Sequence, residues 1–328
     1  MRKRRKIGAA CILIPAMVLA FGVLSGCNED RNDEVGVIEA ASEDIAENTA
    51  YESDTVIVWQ DALLEEVVRE MLEKPEGEIT FADVEGITYL DLTPTKVECI
   101  DDLKYFVNLE HLNLSSTRVA DVGVLSELSN LKEFVSLNRY IEDYSALNDV
   151  EGIRYVYIGN LETFDFGWLK DVETLEELGV VGIIEDPDDL VELMNRNPNL
   201  KTLTLSDNGL KDFGFLDECK YKENYEMLNL QSFRFQGEYA ELDVNDITGY
   251  VNLQGLYIHN TILKNAKKLE QLDNVFEMYI SGCEIDKEAV SAILEMDNLS
   301  ILHMYGCEIE DEELLRQSNK WRELYISE

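Results

Sequence analysis

Basic residues are scarce in this chain: 28 Lys and Arg stand against 67 Asp and Glu in 328 residues, a formal net charge of -39. A surface that acidic repels phosphate backbones and anionic headgroups, which excludes nucleic acid as a partner and favours cationic partners. Cysteine and histidine are also few, six and three. No two cysteines form a C-x-x-C pair, so the spacing contains neither a zinc site nor a disulfide framework. Also missing are a G-x-S-x-G elbow, an H-E-x-x-H pair, a phosphate-binding glycine loop and a Cys/His pair on neighbouring turns. Carboxylates occur everywhere, so no pair of them stands out as acid and base, and the chain reads as a non-enzyme without cofactor or metal. The acidic runs Glu185 to Asp189 and Glu308 to Glu313 lack calcium-loop spacing and read as solvated turns.

Arg2 to Lys6 is a basic run, Ile7 to Val23 is almost uncharged and apolar, and Leu24-Ser-Gly-Cys27 comes next. This is the layout of a secretory signal. Its ending resembles a bacterial lipobox, an apolar residue and two small ones before a cysteine. The resemblance implies a signal peptide over residues 1–26 and lipidation of Cys27. The protein would then be extracytoplasmic, at the cell surface, held to the membrane bilayer by its acyl chains; two or more chains anchor stably where one does not. An uncleaved anchor, or secretion with Cys27 unmodified, are the alternatives.

Residues 27–55 are acidic, with one Arg and no apolar periodicity, and are expected to form a disordered, self-repelling tether. The composition changes at Asp61. Leu63, Leu64, Val67, Val68, Met71 and Leu72 share a helix face, Asp61 is placed as the N-cap, and Pro75 to Gly77 stops the helix. Thr80 to Asp83 fits a capping box. Residues 56–86 are therefore expected to be a helical cap on the remainder of the chain.

From residue 87 onward the chain is periodic. Leu109, Leu112 and Leu114 open a unit that restarts at Leu131 and Ile153, and the register runs from Ile87 to Trp321 with steps of 22 to 28 residues. An L-x-x-L-x-L core at that period means a leucine-rich-repeat solenoid, here residues 87–328. The expected fold is α/β: a curved horseshoe with a parallel concave sheet, short helical or 3₁₀ segments on the convex side, and the helical N-terminal cap. Counting each start as +0, positions +0, +3 and +5 point inward and +2, +4 and +6 outward onto the concave face. Eleven strands about 4.8 Å apart give a sheet on the order of 48 Å long.

At +8 the column reads Thr95, Thr117, Arg139, Leu161, Ile183, Asn208, Phe233, Thr261, Cys283 and Cys307, a degenerate turn ladder. Cys283 and Cys307 occupy equivalent places on adjacent turns; two buried thiols or a disulfide both fit that spacing. A second column, Asp121, Asp143, Asp165, Asp212 and Asp311, is placed to cap the convex turns. At +4 stand Tyr257, Tyr279, His303 and Tyr325, with His259 and Tyr305 beside them. This exposed stripe suits a binding surface, because Tyr offers large amphipathic area at small entropic cost. Stacking that merely steadies neighbouring strands is the other reading.

Leu200 to Asp212 and Leu109 to Asp121 carry a resemblance to the 22-residue repeats of the internalin family of bacterial surface proteins, and it covers roughly residues 59 to 328. It implies a capped solenoid whose concave face binds proteins. The longer units from Leu175, Leu200, Tyr225 and Val275 and the degenerate +8 column depart from that pattern. The expected function is a monomeric binding module for a protein or glycan. The alternative is an envelope scaffold that self-associates through the terminal strand.

Overall fold

The computed structural model describes residues 51–232 and 239–327. Cys27, the leader and most of the acidic tether lie outside the described residues, as does Phe233.

Helix α1, Ala62–Met71, starts where expected: Asp61 accepts from the Leu63 and Leu64 amides at 2.8 and 3.3 Å. Its buried face is Leu64 and Val68, with Val67 and Leu72 partly covered, whereas Leu63 and Met71 are exposed. The stripe is narrower than the sequence suggests because only one side of the helix meets the first coil. Helix α2, Phe81–Val84, is closed by the carboxylate of Asp83, which accepts from the Thr80 amide at 2.8 Å. The cap begins before residue 56. Tyr51 packs its ring against Tyr105 and Phe81, with centroids 4.6 and 5.6 Å away, and the Phe81 amide donates to Thr55. Residues 51–55, assigned to the tether on composition, are packed with the folded unit through these contacts.

From Tyr89–Asp91 to Glu323–Ser327, eleven parallel strands form one sheet in which every neighbour is the next unit along the chain. The register carries over from unit to unit: Leu90 pairs with Leu112, Leu112 with Phe134 and Phe134 with Val156. Alternation buries +3 and +5, for example Leu203 with Leu205 and Leu256 with Ile258, while Leu324 and Ile326 of the last strand are only partly covered. A single core runs through all the coils. Where the inward residue is the small Ser136, the ring of Tyr144 fills the space, its hydroxyl 3.5 Å from Ser136 Oγ, and packs on Phe134 and Trp168.

The convex side explains the uneven step length. Units of 22 residues turn through short 3₁₀ segments such as Gly123–Glu127 and Ser145–Asp149. The longer unit from Leu175 holds α3, Pro187–Arg196, and that from Val275 holds α4, Lys287–Glu295. A shorter helix, α5 (Glu312–Gln317), lies in the last convex turn. Asp121, Asp143, Asp165 and Asp212 each accept from the amide two residues on, at 2.7 to 3.1 Å. Asp311 does not. It sits at φ 54° before α5, makes no capping bond, and instead lies 3.4 Å from Lys287.

Asparagines supplement the degenerate +8 column, of which Thr117, Asn208, Thr261, Cys283 and Cys307 hydrogen-bond in their turns. Asn138, one position earlier, is buried and donates to Thr117 Oγ1 and the Val119 carbonyl at 3.0 and 2.9 Å. Just before the strands, Asn108, Asn130, Asn252, Asn274 and Asn298 each donate to a backbone carbonyl of the preceding coil at 2.6 to 2.8 Å. Each bond satisfies a turn carbonyl that no strand can reach, and so locks one coil to the last.

Candidate functional site

The four C-terminal strands, Gly255–His259, Glu277–Ser281, Ile301–Tyr305 and Glu323–Ser327, place their +4 residues side by side because they pair without a bulge: Tyr257 with Tyr279, Tyr279 with His303, His303 with Tyr325. Tyr257 and Tyr279 stack at 4.7 Å and 7°. His303 lies next, 4.6 Å from Tyr279 and tilted by 55°, and Tyr325 is 6.0 Å beyond it. Tyr305 joins from +6, with its ring 5.0 Å from Tyr325 and its hydroxyl 3.2 Å from His303 Nδ1. Contacts of this kind contribute about 0.5 to 1.5 kcal/mol each beyond area burial, so the column is a stiff surface.

Exposure is not shared evenly. Tyr257 is 7% exposed and Tyr325 48%. Tyr279, His303, Tyr305 and His259 are half-buried. Tyr257 therefore supports the stripe more than it offers contact area, and its hydroxyl donates to Glu277 Oε1 at 2.6 Å. Burial, then that carboxylate, holds the Tyr257 hydroxyl far above the ordinary range. Tyr279 is also raised, by burial first and then by the charges of Glu277 and Glu323; Tyr305 is raised by burial, with Tyr325 and Glu323 adding to it. His259 stands at the edge, its Nδ1 against Ser281 Oγ.

The +2 column adds what attention to +4 alone misses. Glu277 and Glu323 stand there beside the rings, and Glu323 Oε1 lies 2.8 Å from His303 Nε2. Further along the same column Glu133, Tyr155 and Glu177 occupy consecutive strands in register. His111 Nδ1 is 2.6 Å from Glu133 Oε2. The carboxyl of Glu177 is pushed up by burial and by the charges of Glu133 and Glu176. Position +2, counted from each repeat start as +4 is for the tyrosines, locates these carboxylates in the sequence. Among the described residues no group of His, Cys, Asp and Glu is arranged to hold a metal ion.

Cys283 and Cys307 are free thiols. Cys283 Sγ accepts from the Thr261 amide at 3.4 Å, and Cys307 Sγ points to the Ile280 carbonyl at 3.4 Å, so both serve the turn ladder. The acidic runs are also structural. Asp186 caps α3 and Glu312 pairs with Arg316.

A family described as Leucine Rich repeat matches residues 107–126 and 196–214. Curated proteins yield no match. Among solved structures, an internalin (inlF) from Listeria monocytogenes is similar with TM-score 0.63 and 22% identity, over 81% of this chain and 75% of that one. An internalin C2 from the same organism aligns at TM-score 0.38 and 19% identity over 81% and 92% of the two chains. A leucine-rich-repeat protein of Leptospira interrogans aligns at 0.47 and 19% over 70% and 64%. Repeat, sheet and structural likeness together make this chain a leucine-rich-repeat solenoid, internalin-like in fold.

Proposed function

We propose that this protein is a lipid-anchored, extracytoplasmic binding module, monomeric, that engages a protein partner through the concave face of its C-terminal strands. The observation that carries the reading is the unbroken ring column from Tyr257 through Tyr279 and His303 to Tyr325, in contact from strand to strand. Such a surface is pre-organised, so partner binding costs little side-chain entropy. Solenoids present their curved sheet in this way to extended partners. Tyr279, His303, Tyr305 and Tyr325 supply contact, His259 flanks them, and Tyr257 holds the stack. Cys27 supplies the membrane anchor in this reading.

The test uses the purified chain against envelope extract of the producing cell and against candidate host protein and glycan pools. Exchanging Tyr279 and Tyr325 for Ala should weaken a retained ligand by about tenfold or more, with unchanged circular dichroism. Tyr257→Phe should matter far less. A ligand indifferent to the first pair moves binding off the stripe, and sedimentation as an oligomer would favour the scaffold reading. Separately, Cys27→Ser should release the protein from membranes; continued membrane association refutes the lipid anchor.

A further inference from the structure

The concave face has a charge pattern that specifies its partner. In the +2 and +4 columns, from Tyr89 and Asp91 on the first strand to Glu323 and Tyr325 on the last, there is no Lys, Arg, Phe or Trp. The aromatic residues there are Tyr and His alone, and the charged ones are acids. One position earlier, along the rim, stand Lys132, Arg154, Lys201 and Arg322, and the first three are engaged by Glu110 and Glu176. Among the described residues no Lys or Arg forms an ion pair with Glu133, Glu177, Glu277 or Glu323; His111 contacts Glu133 and His303 contacts Glu323.

The four carboxylates fall into two pairs of equal span. Glu133 and Glu177 are two strands apart with Tyr155 between them in register. Glu277 and Glu323 are also two strands apart, beside the Tyr279, His303 and Tyr325 rings. At about 4.8 Å per strand each pair spans on the order of 10 Å, and the two pairs are separated by roughly 19 Å of sheet. On the three strands between them the +2 and +4 residues are Thr202, Thr204, Met227, Asn229, Gly255 and Tyr257, none of them charged. A cation centred in either pair would reach both carboxylates while its apolar stem rests on a tyrosine ring, an arrangement that a guanidinium with five donors suits well.

We infer that this face docks a partner protein segment rich in Arg or Lys, with one basic side chain between Glu133 and Glu177 over Tyr155 and another between Glu277 and Glu323 against the ring column. The inference rests on the concave-face reading and gives that partner its chemistry. Charge complementarity argues for it over a neutral glycan. Glu177 is half-buried and accepts no hydrogen bond among the described residues, with only the more distant charge of Lys201 acting to offset it. A neutral ligand would remove its remaining water and return nothing, whereas a cation compensates it.

The test measures binding of a labelled nonapeptide of arginine to the full chain at about 0.15 M salt, where diffuse charge is screened beyond roughly 8 Å. A nonapeptide of glutamine and a neutral hexose oligomer are the comparison probes. The E133Q/E177Q pair and the E277Q/E323Q pair should each weaken the arginine peptide by about tenfold. An E151Q/E173Q pair, which removes the same charge from exposed turns, should change it by less than about twofold. Equal losses in all three, or no binding of the arginine peptide, overturn the inference. Binding of the glutamine peptide or the sugar that is lost on Tyr279→Ala and Tyr325→Ala also overturns it but leaves the concave-face reading intact. Failure of every probe to respond to any concave substitution counts against both.

Discussion

Tyr157 lays its ring across Gly179 on the neighbouring strand, so closely that a Cβ at 179 would fall 1.9 Å from Tyr157 Cδ2. The two are register partners in the sheet, and the tyrosine is half-buried, with its hydroxyl pKa pushed up by burial. Glycine here is required by a neighbour and not by its own backbone. The arrangement keeps the concave face low beside Glu177, on the strands of the first acidic pair.

Gly179→Ala should force the Tyr157 ring outward and cost about 1 to 3 kcal/mol, read as a lowered urea midpoint. Adding Tyr157→Ala should make the second change much cheaper than it is alone. Additive losses would show that the contact is not the cause.

Asn138 should be far more sensitive than the exposed turn asparagines. Asn138→Ala leaves the Thr117 hydroxyl, the Val119 carbonyl and the Tyr140 amide without their partner in a buried turn, a loss of about 3 kcal/mol. Asn130→Ala removes one bond from an exposed side chain and should cost about 1 kcal/mol or less. Similar midpoints for the two variants would contradict the ladder account.

Asp61 joins the cap to the first coil. It accepts not only from α1 but also from the Glu98 and Cys99 amides at 2.7 and 3.1 Å. Burial alone would raise its carboxyl, but the four amide donors outweigh this and hold it below the usual value of 3.8. A depressed folded value means its stabilisation is complete above about 4 and fades as pH falls through the lower folded pKa. Asp61→Ala should thus cost about 1 to 2 kcal/mol at neutral pH and progressively less in acid. A difference that stays constant down to low pH would mean that ionisation of Asp61 is not involved.

At the alkaline end two buried acids act together. Burial pushes the Cys283 thiol from 9.0 and the Tyr144 hydroxyl from 10.0, each to about 12. Because the folded values lie above the unfolded ones, their stability contribution is whole below about 9 and is lost as pH rises towards 12. The thermal midpoint should fall over that window, and less steeply in Tyr144→Phe. At pH 8 iodoacetamide should label Cys283 far more slowly in the folded chain than in denaturant, since so little thiolate is present. Equal labelling rates would place the thiol outside the core.

The repeat was legible because strand and solenoid impose two simple rules, alternation along a strand and translation between coils. Leu109, Leu112 and Leu114 declare the inward positions, and counting from them puts Tyr257, Tyr279, His303 and Tyr325 in one column before any coordinates exist. Local capping was legible for the same reason, since Asp61 and its acceptor geometry depend on only a few residues of chain.

Side chains that reach across coils were not legible in this way. Tyr257 shares its column with Tyr325 yet is buried where Tyr325 is open, because Glu277 on the next strand draws its hydroxyl down. Asn138 replaces the expected +8 residue from one position earlier, since a turn carbonyl can be met from either side once the backbone has closed. Tyr51 belongs to the cap despite its acidic surroundings because Tyr105 and Phe81 offer it a surface. The path of the backbone and the column each residue occupies are written in the one-dimensional pattern, through a periodicity set by backbone geometry. Which members of a column are supports and which are surface is settled by packing in three dimensions, because neighbouring coils set the rotamers, the burial and the hydrogen-bond partners.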